Sequence, residues 1–441
     1  MIEAVKEQSS KAEYGLVREK ANTAAKWAGT GLGFSIPVST ALDSILGVSV
    51  AAFWVLGGSY RKKWELVRAN PVAVLSLGMF GLLVLGGFYS NASWGEVLKV
   101  LGKYSDLLLL SLLIPLFQDV QMRRNGLAAF FLMMVVVLIL SYLIGFGMLS
   151  GGDPFKGNEN YGIVFRSHIT HSLLVAFSAF AFATLARISG SPHRRVLWIA
   201  LTVMAVYNVL FMVKGRTGYL VLGVLFVYFF VEWLRWKGFL IAALGGSIIV
   251  VCAFFLSDVF HARLSDTAAD FHKWRSGQIV TSEQIIISKQ SFTEERGLGL
   301  RLSWYEKSLA IIRDFPVFGV GTGGFPLAFT EKVRNSRLPA TSNPHNEYLL
   351  IAVQLGLLGL AVLLYLFYTQ WHLAADLPGL FERNLARGLV LTVMTTCLVN
   401  SSLLDHGEGI FYAWMSGLLF AGLNSWGQNN REAIQCPFWR S

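Results

Sequence analysis

The chain of 441 residues is 54% apolar and only 15% charged, with a formal net charge of +10. That balance lies far outside the composition of soluble globular domains and marks a polytopic membrane protein. Its surplus of Lys and Arg is spread through short loops between apolar runs, so it reads as an orientation signal rather than a nucleic-acid surface.

A helix needs ~20 apolar residues to cover ~30 Å of hydrocarbon. The first apolar stretch, 23–58, is too long for one crossing, and Pro37 divides it into 23–40 and 42–58. Further runs follow at about 71–89, 99–118, 126–148, 168–187, 195–213, 217–234, 238–257, 346–370, 385–404 and 408–425. Four loops are rich in basic residues: the first holds Arg61, Lys62, Lys63 and Arg68; the second Arg123 and Arg124; the third Arg187, Arg194 and Arg195; the fourth Arg235 and Lys237. All four fall on one side if the spans alternate, and the positive-inside rule assigns that side to the cytoplasm. The basic N-terminal tail belongs there too, which requires an even number of crossings before Arg61. The expectation is an all-α polytopic membrane protein with about twelve transmembrane helices. A cytoplasmic tail (1–22) precedes helices 1–9 (23–257), an outer-face loop (258–345), helices 10–12 (346–425) and a second cytoplasmic tail (426–441). The charged first thirty residues lack the short apolar core of a removable signal peptide. Cys252 and Cys397 fall in spans and Cys436 in the tail, so no disulfide framework is expected.

Several polar residues depart from this pattern. KGRTG (214–218) puts Lys214 and Arg216 in a tight turn on the outer face, where few positive charges are expected. They read either as a snorkelling pair at the headgroups or as cations held to meet an anion, and the planar fork of Arg suits phosphate. Gly215 and Gly218 favour close backbone approach, to a ligand or within a helical hairpin. In the outer loop, Leu302, Tyr305, Leu309 and Ile312 fall on one face of an amphipathic helix ended by Pro316. That helix is expected along the membrane or capping the bundle, with Trp304 near the interface and Arg301 in its first turn, where backbone N–H groups favour an anion.

GVGTGG (319–324) fits G-x-G-x-x-G but follows a helix rather than a strand, so a dinucleotide site is rejected in favour of a glycine turn. Beyond it, TSNPHNEYLL (341–350) sets His345 at the mouth of the next span, between Pro344 and Asn346. Such a histidine is either a packing residue or a proton acceptor near neutral pH. Asn346 and Glu347 are neighbours able to orient it. Arg166, with His168 and His171 on one helical face, adds further candidates, as do Asp405 and His406 in the last outer turn. Too few ligands lie near the histidine pair for a metal, so neither a metal nor a cofactor is expected. No D-x-D, G-x-S-x-G or Walker A motif is present.

Together GRTG (215–218), GLRLSWYEKSLAIIRDFPVFGVGTGGF (299–325) and NPHNEYLLIAVQLGLLGL (343–360) resemble the signature of the O-antigen ligase and polymerase superfamily of bacterial envelopes. IPVSTALDSILGVSVAAFWVL (36–56) is similar to that family's opening helices. The resemblance implies a metal-independent, inverting glycosyltransferase of GT-C-type architecture with a large helical periplasmic loop, in the inner membrane of a Gram-negative cell. Its donor would be a glycan on undecaprenyl diphosphate, and its acceptor, for the ligase branch, a sugar hydroxyl of lipid A-core. By motif match, Arg216 and Arg301 would grip the diphosphate and His345 would activate the acceptor. Lys214, Arg166, His168, His171 and Asn346 are candidate contacts to diphosphate or acceptor. An O-antigen polymerase and a protein O-oligosaccharyltransferase share this logic. A transporter of lipid-linked glycan is the non-enzymatic alternative, for which Asp43 and Asp106 are the main intramembrane carboxylates.

Overall fold

The computed structural model describes residues 2–152, 154–157, 161–213, 215–276, 297–336 and 338–425, without the side chains of 2–12, 259, 424 and 425. Lys214, Cys436 and the tail 426–441 lie outside the described residues. Among those described there is no strand: the elements are α1 (Ile2–Ser35), α2 (Thr40–Leu56), α3 (Tyr60–Arg68), α4 (Pro71–Phe88), α5 (Trp94–Lys103), α6 (Asp106–Leu116), α7 (Val120–Gly145), α8 (His168–Ile188), α9 (Pro192–Tyr207), α10 (Arg216–Leu234), α11 (Trp236–Leu256), α12 (Asp258–Arg275), α13 (Leu298–Asp314), α14 (Phe325–Val333), α15 (Glu347–Leu373), α16 (Leu380–Val399) and α17 (His406–Phe420). Local chemistry sets many of the starts. Ser39, Asn70, Ser93, Asp119, Ser167 and Asn346 each accept a backbone N–H from the first turn of the helix that follows.

Seven of these helices are long and apolar enough to cross a membrane: α4, α7, α8, α9 with its continuation to Met212, α10, α11 and α15. The pair α2 and α3, bent by 120°, adds an eighth if counted as one span. Other expected spans form shorter or more polar helices. The run at 99–118 is divided between α5 and the 11-residue α6, which contains Pro115, and α17 has 15 residues.

Burial separates the helices in a way a soluble protein would not. Helix α8 is the less apolar of the pair α8 and α11, yet 89% of its span is buried against 11% for α11. Lipid is the solvent for α11, while α8 fills the centre with small residues and aromatics. Helix α17 is buried from Glu408 to its end at Phe420. Its Phe411 stacks on Phe130 and meets Phe177 edge-on, and the Trp414 indole N–H donates to Gly29 O at 2.8 Å.

The GVGTGG run is a structural turn. Helix α15 breaks at Gly356 (φ +66°), which frees backbone groups at membrane depth. The segment 316–323 satisfies them: Val320 N donates to Val353 O (2.8 Å), Gly321 N to Gln354 O (2.9 Å), and Leu357 N to Pro316 O (2.8 Å). A Cβ at Gly319 would sit 2.4 Å from Val353 O, and one at Gly356 2.1 Å from Val317 O, so backbones meet there with no space for a side chain. The glycines face the protein's own backbone.

Candidate functional site

Helix α13 departs from its expected face. Leu300, Trp304, Ser308 and Ile311 are buried, Leu309 is exposed, and Leu302, Tyr305 and Ile312 are half-buried. Trp304 is therefore inside the protein, not at the interface. The helix packs against α12 and α15, and its inner face is rotated by about one residue from the expected one. Ser308 is tolerated inside because its hydroxyl donates to Trp304 O at 2.8 Å.

This rotation builds the surroundings of His345. Its ring stacks on Trp304, with centroids 5.7 Å apart and planes at 24°. Its backbone is left-handed (φ +55°), a strained state for a residue with a Cβ. Two anchors hold it: His345 N donates to Asn343 Oδ1 (2.8 Å), and the Tyr305 hydroxyl lies 3.0 Å from His345 O. Ser401 Oγ donates to the same Asn343 oxygen at 2.7 Å. Burial pushes the Tyr305 hydroxyl pKa up, so it stays a proton donor.

The imidazole orientation follows from two further contacts. Asn400 Nδ2 donates to Asp405 Oδ2 at 2.9 Å, which turns Asn400 Oδ1 toward His345 Nδ1, 3.4 Å away. An amide oxygen only accepts, so the arrangement assigns the proton to Nδ1 and leaves the lone pair on Nε2. Burial raises the Asp405 pKa, a trend that the Asn400 hydrogen bond and the Lys103 charge oppose.

Arg301 reaches the same helix end. Its Nη1 donates to Val399 O at 2.7 Å, one residue before Asn400, so the structure brings Arg301 and His345 together at the C-terminus of α16. Arg216 is the first residue of α10 and is half-buried. Added Cβ atoms at Gly215 and Gly218 would each stand 2.5 Å from Ser172 side-chain atoms, so these glycines bring the start of α10 onto α8 beside His168, its half-buried first residue.

The remaining candidates have internal partners. Arg166 is buried, donates Nε to Ile36 O at 2.7 Å and pairs with Asp43. His171 is buried with Nε2 3.3 Å from Asn208 Oδ1, a packing environment. Asn346 caps α15 and donates to Leu398 O at 2.9 Å. Glu347 turns from His345, accepting from the Tyr104 hydroxyl (2.5 Å) and Leu403 N (3.1 Å). Asp43 also accepts from Ser35 (2.6 Å) and lies 4.0 Å from His406 Nε2, so it belongs to a polar cluster at the helix ends rather than to a path along the bundle. Among the described residues no cluster of His, Cys, Asp and Glu is arranged to hold a metal ion.

Sequence reasoning missed Asn343, Tyr305 and Asn400 as partners of the histidine. Asn343 stands in the quoted NPHNEYLL motif, and Asn400 begins the polar run NSS inside an expected span. Residues 199–364 match the protein-family model described as O-Antigen ligase, an interval that contains GRTG, the Arg301 segment and the His345 motif. Comparison with curated proteins gave no match for the chain.

Proposed function

Because residues 199–364 make this chain a member of the O-antigen ligase/polymerase superfamily, we propose that it transfers a glycan from undecaprenyl diphosphate to a sugar hydroxyl of lipid A-core. The observation that carries this reading is the strained His345, fixed between Trp304 and Asn400 with Arg301 anchored one residue away. Strain of that kind persists only where the surroundings over-determine it, and it concentrates at functional sites.

In the proposed step, His345 Nε2 takes the proton of the acceptor hydroxyl. The oxygen attacks the anomeric carbon, forming a new C–O bond as the bond to the diphosphate oxygen breaks, with inversion. The electron pair leaves on undecaprenyl diphosphate, whose growing negative charge Arg216 and Arg301 stabilise. Two arginines and one base supply the charge and proton transfer that the step requires. The reading includes twelve crossings in a GT-C-type arrangement and a site on the periplasmic face of a Gram-negative inner membrane, supported by the basic loops and by the helix ends that meet around His345.

The test is a transfer assay with purified protein, labelled undecaprenyl diphosphate-linked glycan and lipid A-core. Label is expected on lipid A-core. Label that instead lengthens the lipid-linked glycan would identify a polymerase. In the same assay, His345→Ala is expected to lose ~10²–10⁴-fold in rate while still binding donor; undiminished turnover would remove His345 as the base.

A further inference from the structure

The end of α16 away from Asn400, where the basic loops gather, holds a cation with no matching anion. Along α16, Leu380, Arg383, Arg387, Leu391, Met394 and Leu398 recur at intervals of three and four and none of them is buried, while 384–386 and 388–390 are. Arg387 therefore stands on the stripe that the core does not cover. It lies two turns from the helix start at Leu380, roughly 10 Å along the axis. Its neighbours share that level: Tyr228 is within two turns of the end of α10, and Trp371 is in the last turn of α15. Both α10 and α15 are long and apolar enough to cross a membrane, so this level is the boundary between headgroups and acyl chains, where Trp and Tyr concentrate.

The guanidinium carbon of Arg387 stands over the Trp371 ring, 5.3 Å from its centroid. The Trp371 and Tyr228 rings meet edge-on at 5.7 Å. The Tyr228 hydroxyl donates to Asn384 Oδ1 at 3.1 Å and accepts from Arg387. The charge around that hydroxyl does not cancel. Arg187, Glu232 and Arg387 all act on it, and Glu232 is paired with Arg187. Among the described residues no carboxylate forms an ion pair with Arg387.

A cation at membrane depth is costly unless a counter-charge or water meets it. Stacking on the indole uses the flat face of the guanidinium and leaves in-plane N–H groups for an anion, and that planar fork matches a phosphate. Lipid phosphates lie at this level, and a side chain as long as arginine's snorkels to reach them. We propose that Arg387, held by Trp371 and Tyr228, binds a phosphate group, that of an anionic phospholipid in the leaflet on the side of the basic loops. Nothing in this site depends on the glycosyl-transfer reading, because His345 and Asn400 lie at the other end of α16.

For the test, delipidated full-length protein in detergent is titrated with phosphatidylglycerol, phosphatidylcholine and inorganic phosphate. Bound lipid is read by native mass spectrometry and Tm by thermal unfolding. Wild type is expected to bind phosphatidylglycerol more tightly than phosphatidylcholine, to gain Tm with it, and to show no such gain with inorganic phosphate. Arg387→Gln is expected to lose the preference, its Kd for phosphatidylglycerol rising about tenfold or more, the effect of losing a hydrogen bond between charged groups. Arg387→Lys keeps the charge without the fork and is expected to fall between the two. Arg61→Gln, which removes an exposed arginine from the same end of the bundle, is expected to match wild type. Equal binding of the two lipids by wild type overturns the site without recourse to any variant, as does an unchanged preference in Arg387→Gln. Arg61→Gln behaving like Arg387→Gln would reduce the effect to general charge attraction and overturn it too. Inorganic phosphate that displaces phosphatidylglycerol and reproduces its Tm gain would overturn the lipid as the source of the phosphate.

Discussion

His345 carries a left-handed backbone that costs a non-glycine residue ~1–3 kcal/mol, and its anchors come from Asn343 next to it and Tyr305 on α13. The histidine was legible in the sequence because a titratable ring stands where a polar loop meets an apolar span. Asn400, 55 residues away, was not, since an asparagine in an apolar run carries no sign of what it will face. Asp405 orients Asn400 at a cost. Burial raises its pKa, so the folded protein binds that proton more tightly than the unfolded chain, and the ionised carboxylate opposes folding at pH above the raised pKa. Stability from this group therefore grows as the pH falls through that pKa. Asp405→Asn is expected to raise Tm near neutral pH, with the gain shrinking at lower pH, and to slow transfer several-fold because an amide can flip and release Asn400. Thermal unfolding over a pH series reads the first effect; equal Tm for both proteins at every pH would refute it.

At the scale of elements, the docking of 316–323 against the break in α15 explains the glycine spacing. The sequence identified a turn, since so many glycines disfavour regular structure, but the partner that demands them is the backbone of a helix more than thirty residues on. Gly356→Ala is expected to undock this segment, because a Cβ at φ +66° would meet Val317 O and add the ~1–2 kcal/mol cost of a left-handed residue. Gly223→Ala in α10 is the control, with nothing within 4 Å of the added carbon and a helix-propensity gain of ~1 kcal/mol. Detergent-extracted Gly356→Ala should be less folded by size exclusion and lower in Tm; behaviour equal to Gly223→Ala would show that the docking is dispensable. The same lesson holds for α13, whose helical period was readable while its inward face was set by the neighbours it packs on.

For the whole molecule, the two ends of the bundle differ in chemistry. One end ties α1 to the connections near Arg123 through Lys26 and Asp119 (3.3 Å), and joins Asn70 to Phe420 O (2.9 Å). The other gathers Asp43, Arg166, His345, Asn400, Asp405 and His406. If the basic loops are cytoplasmic, a membrane-impermeant thiol reagent added to intact spheroplasts should label Ser336→Cys and reach Gln121→Cys only after permeabilisation, in a chain with its native cysteines replaced. The reverse pattern would invert the proposed topology. Hydropathy alone determined that the chain is helical and polytopic, because lipid demands internally satisfied backbones, and loop charge set the orientation proposed for it, because short basic loops resist translocation. The motifs alone determined which family it resembles. Only the tertiary structure decided which apolar helix is central and which faces lipid, that Trp304 lies under the histidine, and that Arg166 is buried against Asp43. The physical reason is that a uniformly apolar helix carries no periodic mark of its inner face, and a polar side chain's role is set by partners that meet it only when distant helix ends converge.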